Sequence, residues 1–137
     1  MLIITDRFIP EGFAACTKGF FVFVRPKYKD DTGLIAHEYL HVRQWLWLSL
    51  FGIPVWMLLE WAGLHKYSPL AIMSLGLQPL LYTLVPAFRL WCEVECYKLQ
   101  ATYYKDDRRA HFAKFISTKY GLDISTENAL KKLQEPK

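Results

Sequence analysis

The apolar positions of this chain fall into two regimes. Leu2-Ile3-Ile4-Thr5 and Gly19-Phe20-Phe21-Val22-Phe23-Val24-Arg25 are β-branched and aromatic runs, bounded by Pro10, Gly12, Gly19 and Pro26. They predict two short strands of a small N-terminal sheet. From Thr32 onward the pattern is helical, with Asp30, Asp31 and Thr32 supplying an N-cap and favourable charge for a first helix. Gly52-Ile53-Pro54 breaks that helix, and Pro54 starts a second one that runs to about Gly63. Tyr67-Ser68-Pro69 opens a third segment, punctuated by Pro79 and Pro86, ahead of a proline-free stretch from Arg89 to Gln100. A polar hinge at Asp106 and Asp107 leads into a helix over Arg109 to Ile116. Asp123 to Leu133 is a last amphipathic helix, capped by Ser125 or Thr126. The chain has no repeat and no low-complexity tract, and its 137 residues predict one mainly helical α+β domain over 1–137.

Hydrophobicity is concentrated in the middle. Gln44 to Leu59 carries no charge, and neither does Tyr67 to Phe88, which is about as long as a membrane-spanning helix. Pro69, Gly76, Gln78, Pro79 and Pro86 interrupt the second stretch, and Glu60 and His65 separate the two. Packing against the protein's own helices or a protein partner is therefore the expectation. The alternative is a membrane hairpin with the Thr32 helix at its cytoplasmic mouth and tryptophans in an interfacial belt.

Charge and cysteine content narrow the classes. The net charge of +4 comes mostly from the C-terminal third, but Asp106, Asp107, Asp123, Glu127 and Glu135 interrupt the basic residues there. That pattern suits a solvated helical face, and no specific nucleic-acid contact is expected. No Gly-rich phosphate loop occurs. Cys16, Cys92 and Cys96 do not make a disulfide framework. Cys92 and Cys96, one turn apart, read as small buried hydrophobes before they read as metal ligands. Met1 to Asp6 runs straight into a strand-like segment without a leader pattern, so a cytoplasmic location is expected.

His37-Glu38-Tyr39-Leu40-His41 is the segment with chemistry in it. On a helix, HExxH puts both imidazoles on one face, where they can close on one ion. Glu38 is then free to act as general base on a metal-activated water. The extended form HExxHxxGxxH is absent, since Gln44 and Trp47 stand where glycine and the third histidine would be. A third ligand must come from elsewhere, because a catalytic zinc usually has three protein ligands plus water.

His37, Glu38 and His41, together with Glu93-Val94-Glu95-Cys96-Tyr97 on a later helical stretch, resemble the zincin superfamily and its gluzincin branch. The combination is also similar to small HExxHxxQ metallopeptidases of phages and bacteria. The resemblance covers two short helical segments. It implies a minimal zincin fold, Zn2+ as cofactor, Glu93 as third ligand and a peptide or protein substrate. Cys96 departs from the common alanine of the second motif, and Tyr97 from its aspartate or asparagine. On the helix Glu93 shares a polar stripe with Arg89, Tyr97 and Gln100, whereas Glu95 faces with Trp91 and Leu99. Glu60 and Glu95 remain the competing ligands, Glu60 with a bland alternative in pairing with Lys66 or Arg43. Tyr82 and Tyr97 are candidate oxyanion donors.

The reading is a zinc-dependent peptidase with His37, His41 and Glu93 on the metal, Glu38 as base, and an edge strand over Phe20 to Val24 for substrate. Its rival is a non-catalytic module that keeps zinc as a staple and turns an apolar surface to a partner or membrane.

Overall fold

The structure is a computed structural model and describes residues 1–136. It has three strands, β1 (Leu2–Ile4), β2 (Ala15–Lys18) and β3 (Phe21–Val24), followed by six α-helices. These are α1 (Thr32–Leu50), α2 (Gly52–Trp61), α3 (Leu77–Leu84), α4 (Pro86–Ala101), α5 (Arg109–Lys119) and α6 (Thr126–Gln134). A 3-10 helix, His65–Gly76, joins α2 to α3. The fold is thus mainly helical α+β with a small N-terminal sheet, as the sequence pattern predicts.

The sheet has one strand more than expected. Its order is β1-β3-β2, with β1 parallel and β2 antiparallel to β3. The aromatic strand is therefore central and not an edge, because Val22 and Val24 are fully buried while its neighbours shield both sides. Ala-Cys-Thr-Lys is too short and too polar to announce itself as β2. It forms because a tight turn at Gly19, with φ of 61°, returns the chain antiparallel to β3.

Two clusters form the core. Ala15, Val22 and Val24 pack under α1 through Leu34, Ile35 and Val42. Val94 and Tyr97 of α4 meet Phe112, Ala113 and Ile116 of α5, with Ala129 and Leu133 of α6 closing the layer. α1 and α4 cross between these clusters and carry the candidate site. The start of α1 is pinned by Asp31, whose carboxylate accepts from the Leu34 amide at 2.9 Å and from the Tyr104 hydroxyl at 2.6 Å. Gly33 is buried there because any β-carbon would sit 2.7 Å from the Tyr104 ring.

The middle of the chain does not join this core. Among the described residues, buried apolar side chains skip from Val24 to Cys92. α2 and the 3-10 helix pack on each other and project as a lobe, while α3 lies at its base against α1 and α4. Trp45 Nε1 donates to the Leu75 carbonyl at 2.9 Å and the Ser74 hydroxyl to the Ser49 carbonyl at 2.8 Å. Gly52 admits the Ala71 carbonyl to 2.6 Å from where its β-carbon would be. Arg89 donates to the carbonyls of Tyr82, Thr83 and Tyr120, tying the end of α3 to the body. Packing of the 44–88 region against the protein's own helices is thus partial, and it leaves a large apolar surface exposed.

Gly33→Ala is expected to destabilise the protein by about 1–3 kcal/mol, the usual cost of overpacking. Tyr104 is held by Asp31 and also accepts from Gln100 Nε2 at 3.0 Å, so it cannot step aside without losing a bond. Thermal denaturation measures the effect; an unchanged or raised Tm would contradict this role for the close approach.

Candidate metal centre

The structure brings His37, His41, Glu38 and Glu93 together. HExxH lies mid-helix in α1, so His37 and His41 emerge one turn apart with ring centroids 5.0 Å apart. Glu93 comes from the facing turn of α4 and is 1% exposed. Its carboxylate oxygens lie 3.6 Å from His37 Nε2 and 3.3 Å from His41 Nε2. Donors about 2.1 Å from a tetrahedral ion are roughly 3.4 Å from one another, so these separations suit a shared ion. Glu93 Oε2 has no hydrogen-bond partner although it is buried, a costly state unless something positive completes it.

Neighbouring groups fix how each side chain points. Gln44 Nε2 donates to the Cys92 carbonyl at 3.4 Å, which turns Gln44 Oε1 toward His41 Nδ1 at 2.9 Å. An amide oxygen only accepts, so Nδ1 carries a proton, and Nε2, the nitrogen that faces Glu93, is the one whose lone pair is freed when the ring is neutral. Gln100 is the polar group beside His37 and favours its charged form, though neither His37 Nδ1 nor Gln100 Oε1 reaches hydrogen-bonding geometry. The Tyr82 hydroxyl, from α3, donates to Glu93 Oε1 at 2.5 Å.

Glu38 occupies a different position. It is buried beside the two histidines, and the Thr17 hydroxyl of β2 donates to its Oε2 at 2.7 Å and to its backbone carbonyl at 3.0 Å. A cleft of about 400 Å3 opens over it, with Thr17, Trp45, Pro79 and Tyr82 in its walls. Burial pushes the Glu38 carboxyl up to about 7, with His41 and Thr17 pulling the other way. Burial and the neighbouring His41 lower His37 to about 3, so its ring is neutral. Burial disfavours charge on Glu93 and His41 too, but their mutual attraction wins. Glu93 is held below the usual carboxylate range, and His41, with Cys96 also favouring its charge, well above the usual imidazole value. Without a metal the centre is a His41–Glu93 ion pair beside a neutral His37.

A second donor set shares both histidines. Donor atoms of His37, His41 and Cys96 all lie within 4.8 Å of one another, so this group could hold a metal ion. Cys96 is buried as expected, but it is more than filler, with its Sγ 3.6 Å from His41 Nδ1. That nitrogen is the one engaged by Gln44. Burial raises the Cys96 thiol above its ordinary value, which disfavours the thiolate a ligand needs.

The other candidates lie elsewhere. Glu60 is out in the lobe, accepting from His65 Nδ1 at 2.6 Å and from the Ser68 hydroxyl, not pairing with Lys66 or Arg43. Glu95 faces the outer side of α4, 3.8 Å from Lys98 Nζ. Tyr97 packs edge-on against His37 and shares a 2.8 Å hydrogen bond with Tyr120, so it is a wall of the site and not a free donor. Thr17 carries no motif signal, and Gln44 is the glutamine of the HExxHxxQ pattern, whose contact with His41 only the fold shows. No family model, curated protein or solved structure matches the chain, so the chemistry rests on this geometry.

Thr17→Val should raise the proton affinity of Glu38 further, because the hydrogen bond it removes favours the charged carboxylate. In chelator-treated protein at pH 7, infrared spectra should then show more protonated Glu38, with Glu38→Gln as the blank. Thr17→Ser, which keeps the hydroxyl, should behave like the parent. Equal protonation in all three proteins would remove Thr17 from the site.

Proposed function

We propose that this protein is a zinc-dependent metallopeptidase, with His37, His41 and Glu93 holding the ion and Glu38 serving as general base. The observation that carries the proposal is the convergence of two imidazole Nε2 atoms and a fully buried, half-satisfied carboxylate, with a second, non-ligating carboxylate on the open side. Zn2+ suits this mixed nitrogen and oxygen set, and when bound it supplies Lewis acidity that brings water to a reactive state near neutral pH and polarises a carbonyl.

The chain's own residues supply the remaining steps. Thr17 occupies Glu38 Oε2, leaving Oε1 to take a proton and pass it to the departing amine. A value of about 7 is well suited to both halves of that transfer. β2 is the edge strand that lines the cleft, so an extended peptide can add to it by backbone hydrogen bonds. Tyr82 lines the opposite wall, and its hydroxyl proton is already given to Glu93 Oε1, so it orients the proposed third ligand.

The non-catalytic alternative has one observation in its favour, the buried Cys96 beside His41. A His37, His41 and Cys96 set would be a closed, structural site with no need of Glu38. Metal titration against a chromogenic chelator separates the two. The peptidase reading expects about one equivalent of zinc, lost in His37→Ala and His41→Ala and weakened at least 100-fold in Glu93→Ala. Cys96→Ser, Glu60→Ala and Glu95→Ala should stay within a few-fold of the parent. Glu38→Gln should keep the metal and lose peptide hydrolysis by about 10²–10⁴-fold or more. Metal retained by Glu93→Ala and lost by Cys96→Ser would establish the staple instead.

A further inference from the structure

We infer that the lobe spanning residues 46–76, together with the outer face of α3, inserts into a lipid bilayer and holds the metal-site body at the membrane surface. Nineteen large apolar side chains between Leu46 and Val85 are exposed, far beyond the patch of on the order of 300–600 Å2 that a soluble monomer shows. The distribution matters more than the number. In α2, Val55, Trp56, Met57 and Leu58 are consecutive and all exposed, and successive helical residues point about 100° apart. The helix is therefore apolar all round. A protein partner, including a second copy, would cover one face of it, whereas lipid covers every face.

Dimensions and charge fit the same occupant. α1 and α2 run as one helical unit of 30 residues, and only 17% of its most apolar stretch is buried, which sets it apart from the core helix of a soluble protein. From Trp45 to Trp61 it rises about 25 Å, close to the roughly 30 Å of a hydrocarbon core. Between Gln44 and Phe88 the only formally charged residues are Glu60 and Lys66, and both lie at the tip. There Glu60 is satisfied by His65 and Ser68, with Trp61 and Tyr67 exposed alongside. At the base, exposed Arg43 and Lys18 suit anionic headgroups, and exposed Trp47 and Trp91 suit the interface.

The backbone also tolerates this placement. Pro54 and Pro79 each fall third in their helices and Pro86 falls first, where an amide has no intrahelical acceptor to lose. Pro69 lies near the polar tip. The prolines that argue against insertion on paper are thus positioned so that almost no carbonyl is orphaned in lipid. At Val85 the chain bends by 98° into α4, leaving the membrane axis where the body begins. The inference uses no property of the metal centre and stands apart from the peptidase reading.

Vesicles of phosphatidylcholine and phosphatidylglycerol, with the full chain reconstituted from detergent, test it. The protein should float with the vesicles and remain bound through carbonate and high-salt washes. Lipids brominated along the acyl chain should quench its tryptophan emission, and the pair Trp56→Phe and Trp61→Phe should remove a large part of that quenching. Met57→Asp combined with Ile72→Asp alters only exposed positions, so it should keep the helical circular dichroism yet lower the vesicle-bound fraction about tenfold or more. A chain that stays in the supernatant without detergent as a discrete dimer would overturn the inference. So would release by salt alone, or an unquenched parent protein.

Discussion

A carboxylate with almost no exposure to solvent, set between two helices, is the constraint around which this molecule is built. Glu93 cannot be ionised there without compensation, and the compensation comes from His41, His37 and the Tyr82 hydroxyl. Each of those partners belongs to a different turn or helix, so satisfying one charge aligns α1, α3 and α4 at once. One oxygen still lacks a partner. The same requirement that organises the fold thus leaves an opening for a cation, which is why the site is read as functional and not as a buried ion pair alone.

The surrounding groups extend that logic outward. Gln44 fixes the tautomer of His41 and Thr17 holds Glu38 by both side chain and backbone. Tyr104, admitted by Gly33, secures the start of α1 on which His37, Glu38 and His41 ride. Glu38 and Glu93 sit in one site with opposite tendencies, one pushed up by burial and the other held down by its cationic neighbour. That separation is the usual arrangement where one carboxylate handles protons and another stays charged.

The pair of histidines and Glu38 was legible in the sequence because helical periodicity alone puts HExxH on one face. Glu93 was suggested by the resemblance to the second gluzincin motif, supported by its polar stripe with Arg89, Tyr97 and Gln100. Thr17 was not, since a four-residue strand has no periodicity to read and its role depends on a sheet order that only the fold reveals. The central position of β3 was missed for the same reason. Cys96 read as packing, and its nearness to His41 depends on how α1 and α4 cross. The apolar middle left own core, partner and membrane open, because hydropathy does not distinguish a side chain buried in protein from one facing lipid. The exposure of Val55 to Leu58 on α2 is visible only in the fold.

X-ray absorption at the zinc edge of the loaded, full-length protein tests the central claim most directly, because it reports the ligand atoms themselves. The account predicts a first shell of nitrogen and oxygen at about 2.0–2.2 Å with two imidazoles and no sulfur. A sulfur scatterer at about 2.3 Å would put Cys96 on the metal and contradict the Glu93 site, and a protein that takes up no zinc would contradict the metal centre altogether.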